Sequence, residues 1–186
     1  GKLYYQGGCF YEGEISYDWE QGQGKMDCSK DISQAWKTYD GQWEDAYENG
    51  LGKVIFKNGD SYTGSFEDTL LHGKGKYTWK NGETYEGDFV YSKITGTGIK
   101  VYEDGAVYKG NWSNGKRQGD GEMKFASGDV YKGKWEQDWE NGYGKITYSS
   151  GEKYVGLFRN GRKLEGKTSM PKFTTNEKYF ALIIGN

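Results

Sequence analysis

The chain has 186 residues, of which 34% are hydrophobic and 17% aromatic, with 31 glycines, a single proline and a formal net charge of -2. Apolar burial must therefore come largely from rings, and Lys interspersed with Glu and Asp leaves no basic stripe for nucleic acid. No stretch approaches the ~18 to 20 apolar residues of a membrane span, and no charged-then-apolar leader pattern stands at the start.

The chain opens on Gly1-Lys2-Leu3-Tyr4-Tyr5-Gln6-Gly7-Gly8, which aligns beneath Gly52-Lys53-Val54-Ile55-Phe56-Lys57-Asn58-Gly59. It thus begins on the second half of a repeat, and a natural start further upstream, with a signal or more repeats, is expected. A Tyr-x-Gly triplet then recurs at Tyr11, Tyr39, Tyr62, Tyr85, Tyr108, Tyr131 and Tyr154, each from Tyr39 onward 23 residues after the last. Its glycines are Gly13, Gly41, Gly64, Gly87, Gly110, Gly133 and Gly156. Four residues after each tyrosine stands Ile15, Trp43, Phe66, Phe89, Trp112, Trp135 or Phe158. A Gly-x-Gly begins at Gly22, Gly50, Gly73, Gly96, Gly119 and Gly142, and a turn glycine precedes most of the tyrosines. A strict period of this length marks a repeat array.

Tyr85-Glu86-Gly87-Asp88-Phe89, then Gly96-Thr97-Gly98, then Asp104-Gly105 show the pattern with little departure. On these columns the chain resembles MORN (membrane occupation and recognition nexus) repeats over residues 1–166. The array comprises a half-repeat 1–8, full repeats from about 9 to 151 and a degenerate last repeat 152–166, where Glu165-Gly166-Lys167 replaces Gly-x-Gly. Lys25 to Thr38 carries five extra residues and has Trp36 where the turn glycine belongs.

Each repeat reads as two short strands. Asn58-Gly59, Asn81-Gly82 and Asp104-Gly105 between β-prone runs are strong hairpin signals. Tyr62, Gly64 and Phe66 share one face by alternation, and a glycine opposite an aromatic leaves space for a ring to lie flat. The register stays open: a two-residue loop sets Tyr62 across from Ile55, a three-residue loop across from Phe56, and a bulge reconciles the two. The fold class is all-β, an elongated, twisted, single antiparallel sheet of 23-residue hairpin repeats with about 14 strands and almost no helix. At ~4.8 Å per strand it spans on the order of 60 Å. Such an array is stabilised by nearest neighbours, each buried ring adding roughly 1.5 to 3 kcal/mol.

Residues 167–178, with Pro171, read as a linker. Residues 179–186, Tyr179-Phe180-Ala181-Leu182-Ile183-Ile184-Gly185-Asn186, form an apolar run suited to a strand buried on both faces. This run is similar to the opening strand of caspase-like cysteine peptidases. The resemblance implies a regulatory or substrate-recruiting repeat region of a larger enzyme whose catalytic His and Cys lie downstream.

Within the repeats no residue is assigned to catalysis, a cofactor or a metal. His72 sits in a loop directly before Gly73, where MORN repeats themselves often have His. Cys9 and Cys28 lack CxxC spacing and read as free thiols beside the first hairpins, a disulfide between them staying open. Binding is the remaining class, and a protein partner is favoured. The column eight residues after each tyrosine places Trp19, Tyr47, Leu70 and Trp139 where other repeats have Lys93 and Lys116, in exposed loops. Trp19, Tyr47 and Leu70 then make an aromatic ridge for protein contact; in the other reading these rings cover the second face of the sheet. Open edges allow a homodimer through the first strand, Lys2 to Gln6, or through the C-terminal strand. A peripheral lipid tether is the third reading, although Lys116-Arg117 with Arg159, Arg162 and Lys163 is thin for anionic headgroups. The expected role is a non-catalytic binding and scaffolding module in the cytoplasm.

Overall fold

The computed structural model describes residues 1–164. Its strands are β1 (Lys2–Tyr4), β2 (Phe10–Ser16), β3 (Trp19–Asp27), β4 (Trp36–Glu44), β5 (Tyr47–Phe56), β6 (Ser61–Glu67), β7 (Leu70–Thr78) and β8 (Thr84–Val90). They continue as β9 (Lys93–Val101), β10 (Val107–Ser113), β11 (Lys116–Lys124), β12 (Val130–Glu136), β13 (Trp139–Thr147), β14 (Lys153–Arg159) and β15 (Arg162–Lys163). Each strand pairs antiparallel with its sequence neighbours, giving one open 15-stranded sheet with no helix among the described residues. The count exceeds the expected one by the two-residue β15. The linker 167–178, the apolar strand 179–186 and the end of the degenerate repeat lie outside the described residues.

The tyrosine and glycine columns form a single packing unit. Glycines of successive strands face one another, Gly52↔Gly64, Gly64↔Gly75 and Gly75↔Gly87 among them, so a glycine row crosses the sheet. Each repeat tyrosine lays its ring across this row. A Cβ added at Gly75 would stand 2.2 Å from the Tyr62 hydroxyl oxygen, and one at Gly98 2.4 Å from that of Tyr85. The ring therefore lies nearer to the backbone than any side chain at those positions allows. Its hydroxyl donates to the carbonyl three residues on, Tyr62 to Ser65 at 2.9 Å and Tyr131 to Lys134 at 2.9 Å, so the buried oxygen is satisfied. Burial pushes the Tyr62 phenol up to about 12.

The residue four after each tyrosine completes the core. Tyr39 meets Trp43 of its own hairpin edge-on at 5.0 Å and Phe66 of the next hairpin at 5.1 Å; Tyr62 meets Phe66 at 5.2 Å and Phe89 at 5.1 Å. The alternation continues to Tyr154–Phe158, giving one unbroken edge-to-face chain of rings along the ring side of the sheet. Such contacts are worth about 0.5–1.5 kcal/mol each beyond area burial. Half of them join one repeat to the next, which couples the array.

Two kinds of reversal alternate, and the first sets a register different from both alternatives left open. The backbone N–H of Phe56 donates to the carbonyl of Asp60, enclosing Lys57-Asn58-Gly59, so Tyr62 sits across from Val54 rather than Ile55 or Phe56. The cause is Gly59: it adopts φ 96 as the third loop residue, closing a turn that ends in a glycine bulge. The second reversal is a two-residue turn with both φ positive, at Asp45-Ala46, Asp68-Thr69, Tyr91-Ser92 and Asn114-Gly115 among others. Asp or Asn stands in most of these turns, residues that tolerate positive φ, and Asn-Gly holds two of them, while at Tyr91-Ser92 the flanking pairing imposes the conformation.

Beyond that turn a register shift separates Gly64/Phe66, and Gly73 takes φ 69 there. Bulges bend strands. They recur in every full repeat, and toward the C-terminal end Phe125 and Ser127 of one reversal share a cavity with Glu140 and Arg162 of the other. Cys9 and Cys28 correct a further expectation: they are not free thiols but a disulfide, with Cα atoms 4.2 Å apart, because the three-residue reversal before β2 sets Cys9 beside the end of β3.

Gly75→Ala is expected to lower stability by about 1–3 kcal/mol, since the methyl must displace the Tyr62 ring. Tyr62→Phe, which loses one hydrogen bond, should cost about 1 kcal/mol. Urea unfolding of both variants checks this, and an unchanged midpoint for Gly75→Ala would contradict the seat described.

Candidate functional site

The side opposite the rings carries the residues expected to bind. Trp19, Tyr47, Leu70 and Trp139 are 57%, 54%, 39% and 56% exposed. They are not in loops, however. Each is the first residue of a strand, paired across the two-residue turn with Ser16, Glu44, Glu67 and Glu136, because so short a turn leaves no loop to hold it. Trp19, Tyr47 and Leu70 follow one another every second strand, about 10 Å apart, and Lys93 and Lys116 separate them from Trp139. The Trp139 ring leans on the next turn, 3.2 Å from where a Gly161 Cβ would stand. Leu51 and Ile99 add exposed apolar surface on the same side. His72 lies within β7, not a loop, with Nδ1 3.0 Å from Glu67 and its ring edge-on to Tyr91.

A shallow depression over the glycine row on this side mixes Lys74, Lys76 and Lys109 with Glu86 and has no aromatic wall. The ring side holds a different kind of site. The column nine residues after each tyrosine points toward the rings and reads Glu20, Glu48, Leu71, Ile94, Arg117 and Glu140. In mid-array the Arg117 guanidinium lies 4.3 Å from the Trp135 ring centre and 5.7 Å from that of Tyr108, with Nε 3.2 Å from Asp138 Oδ1. Lys100 similarly lies 4.5 Å over Trp79 while pairing with Glu83 at 2.9 Å.

At the N-terminal end the same column places two carboxylates in a cavity of about 630 Å3, within the range of about 300–1,000 Å3 typical of ligand pockets. Tyr5, Trp36 and Trp43 form aromatic walls around Glu20 and Glu48, and Asp31, Ser33 and Gln34 of the insertion close one side. The insertion is held there by the Cys9–Cys28 bond and by the Lys57 ammonium donating to the Asp31 carbonyl, while Asp31 Oδ1 accepts from the Ser33 N–H at 2.8 Å and hydroxyl at 2.6 Å. Those bonds hold the Asp31 carboxyl below its usual range. Glu20 is 3% exposed and accepts from the Tyr5 hydroxyl. Glu48 is 8% exposed; burial first, and then the charge of Glu20, raise its carboxyl above the usual range. Sequence reading passed over this pair, although strand alternation places the column on the ring side and an acid in that column is the signal.

Among the described residues no group of three or more His, Cys, Asp or Glu is placed to hold a metal ion, and no helix is long and apolar enough to cross a membrane. The geometry defines an open antiparallel meander of hairpin repeats with one aromatic chain. The family model described as MORN repeat matches residues 11–31, 39–61, 62–84, 85–107, 108–130 and 131–153, well over half of the chain, and the chain belongs to that family. The match passes over residues 32–38, inside the insertion.

Among solved structures, the chain is similar to the SAS-4 (dCPAP) TCP domain of Drosophila melanogaster, solved in complex with a proline-rich motif of Ana2 (dSTIL). The identity is 15%, with a TM-score of 0.50, covering 84% of this chain and 83% of that one. The TCP10 domain of Danio rerio CPAP, in complex with a peptide of Danio rerio STIL, matches at 14% identity and a TM-score of 0.44, covering 84% and 77%. The first likeness is one of fold. No curated protein matches the chain.

Because the Glu48 carboxyl is raised in the folded state, the folded protein holds that proton more tightly than the unfolded chain. Stability from this group is therefore full below the unfolded carboxylate range, ~4.3, and falls as pH rises through the folded value. Glu48→Gln should raise the thermal midpoint at neutral pH, on the order of 2–4 °C, and leave it unchanged in acid. A midpoint lowered at neutral pH would contradict the assignment.

Proposed function

We propose that this MORN array is a non-catalytic protein-binding and scaffolding module whose contact surface is the ridge of Trp19, Tyr47 and Leu70, with Trp139 as a separate anchor. The observation that carries the reading is the exposure of three large rings at the head of β3, β5 and β13, where the repeat places them at one register position, on a sheet whose repeat tyrosines are buried. Trp and Tyr dominate interface hot spots, and a β-strand row holds them at fixed spacing with little entropy left to lose. The likeness to a domain solved with a bound proline-rich motif adds support, since that fold is able to present a peptide-binding surface.

Peripheral lipid contact is less well supported. The three lysines of the depression beside the glycine row stand next to Glu86, and a headgroup site takes a cluster of about four to eight basic residues. A homodimer through the β1 edge, and a parent enzyme with caspase-like chemistry beyond residue 186, belong to the same set of proposals. Placement in the cytoplasm requires Cys9–Cys28 to be formed or shielded there, since cystines persist mainly in oxidising compartments.

Capture from the source lysate by the immobilised chain, compared with a Trp19→Ala, Tyr47→Ala double variant, tests the ridge. The variant should retain at least about ten-fold less of the partner, as hot-spot losses of about 2 kcal/mol imply, with an unchanged melting profile. Equal capture would remove the ridge from the account.

A further inference from the structure

The buried acids of this chain fall into two groups. Asp60 is surrounded by donors: the Tyr77 hydroxyl at 2.7 Å, the Lys80 N–H at 2.9 Å and the Asn58 amide at 2.8 Å. Asp31 is held in the same manner by Ser33. Glu48 has nothing comparable: apart from its own backbone, no donor or cation among the described residues reaches its carboxylate, yet it is as buried as Asp60. Glu20 beside it has the Tyr5 hydroxyl on one oxygen only. The same column is filled with Leu71 and Ile94 elsewhere, whereas here two carboxylates face an open cavity with little protein partnering of their own.

The array itself shows what such a place accommodates. Two repeats beyond Leu71 the column is Arg117, whose guanidinium lies 4.3 Å over Trp135, the ring of the following hairpin. Trp43 stands in the same relation to Glu20, one hairpin on, and Trp36 of the insertion adds a second indole. The first repeats thus keep the aromatic seat, replace the internal cation with carboxylates, and leave a cavity in between.

We propose that this cavity is a subsite for an arginine side chain of the protein partner, its guanidinium paired with Glu48 and Glu20 and stacked on Trp43 or Trp36. The planar fork of a guanidinium matches two carboxylates and an indole face, and it is less strongly hydrated than an ammonium. The insertion and the Cys9–Cys28 bond then acquire a role, because they build one wall of the open trough. The inference rests on the protein-binding reading and adds the chemistry of one contact.

The test is titration of the full chain at neutral pH with N-acetyl-arginine amide, followed through the indole N–H signals of Trp36 and Trp43. Saturable shifts are expected with this probe, weaker ones with N-acetyl-lysine amide, and none with the neutral isostere N-acetyl-citrulline amide. Glu48→Gln, which should fold at least as well as the parent, is expected to weaken the response about ten-fold. Glu140→Gln, in the same column but outside the cavity, should leave it unchanged. No shift with the arginine probe, an equal shift with citrulline, or an undiminished response in Glu48→Gln would each overturn the subsite. Trp19 also borders this cavity, so the two readings are separated by Tyr47→Ala alone, which lies outside it: that variant should lose partner capture yet keep the arginine response, whereas Glu48→Gln should lose the response.

Discussion

The structure depends on one contact, a tyrosine ring lying on a row of backbone without side chains. It exists because Gly64 and Gly75 face one another across the hairpin, so that the Tyr62 ring rests at backbone distance and its hydroxyl caps a carbonyl at 2.9 Å. Everything else follows from its position. The ring presents its edge to two Phe or Trp neighbours, one in its own hairpin and one in the next, and that pairing propagates the sheet. An array with few aliphatic residues is held together in this way without a second layer.

Both candidate surfaces are consequences of that economy. With the repeat tyrosines and their Phe and Trp partners on one side, an exposed ring on the other has no role in that core, and Trp19, Tyr47 and Trp139 share one repeat position there. On the ring side residues of the two reversals share a cavity, so a column aimed inward ends in a trough rather than in solvent. Apolar residues fill it in β7 and β9, and Arg117 fills it against Trp135 in β11. Acidic residues leave space, Glu140 at β13 beside Arg162 and the Glu20–Glu48 pair at β3 and β5, and at the latter the insertion supplies one wall.

Much of this was legible in the chain. The 23-residue period, the two strands per repeat, the ring over glycine and the all-β sheet come directly from spacing and alternation. The register did not, because Asn58-Gly59 is a hairpin signal for two loop lengths and only Gly59 at positive φ decides between them. The second turn was legible only in places: Asn114-Gly115 and Asn160-Gly161 carry hairpin chemistry, but Tyr91-Ser92 does not, and its conformation is set by the flanking pair Val90↔Lys93. Pairing of this kind moved the ridge from loops into strands. The disulfide and the acidic cavity both depend on how the insertion folds over the first hairpins, and neither periodicity nor composition reports on a non-repeating segment.

The most direct measurement of the central claim is the proton chemical shift of the glycine Hα atoms. A ring lying flat on the glycine row must shift the Hα signals of Gly24, Gly52, Gly75, Gly98, Gly121 and Gly144 upfield by its ring current, once per repeat, while Gly82 and Gly105 in the turns stay near ordinary values. That pattern is the predicted result. Ordinary shifts at all of these glycines would contradict the account, because the rings would then be elsewhere and the aromatic chain could not form as described.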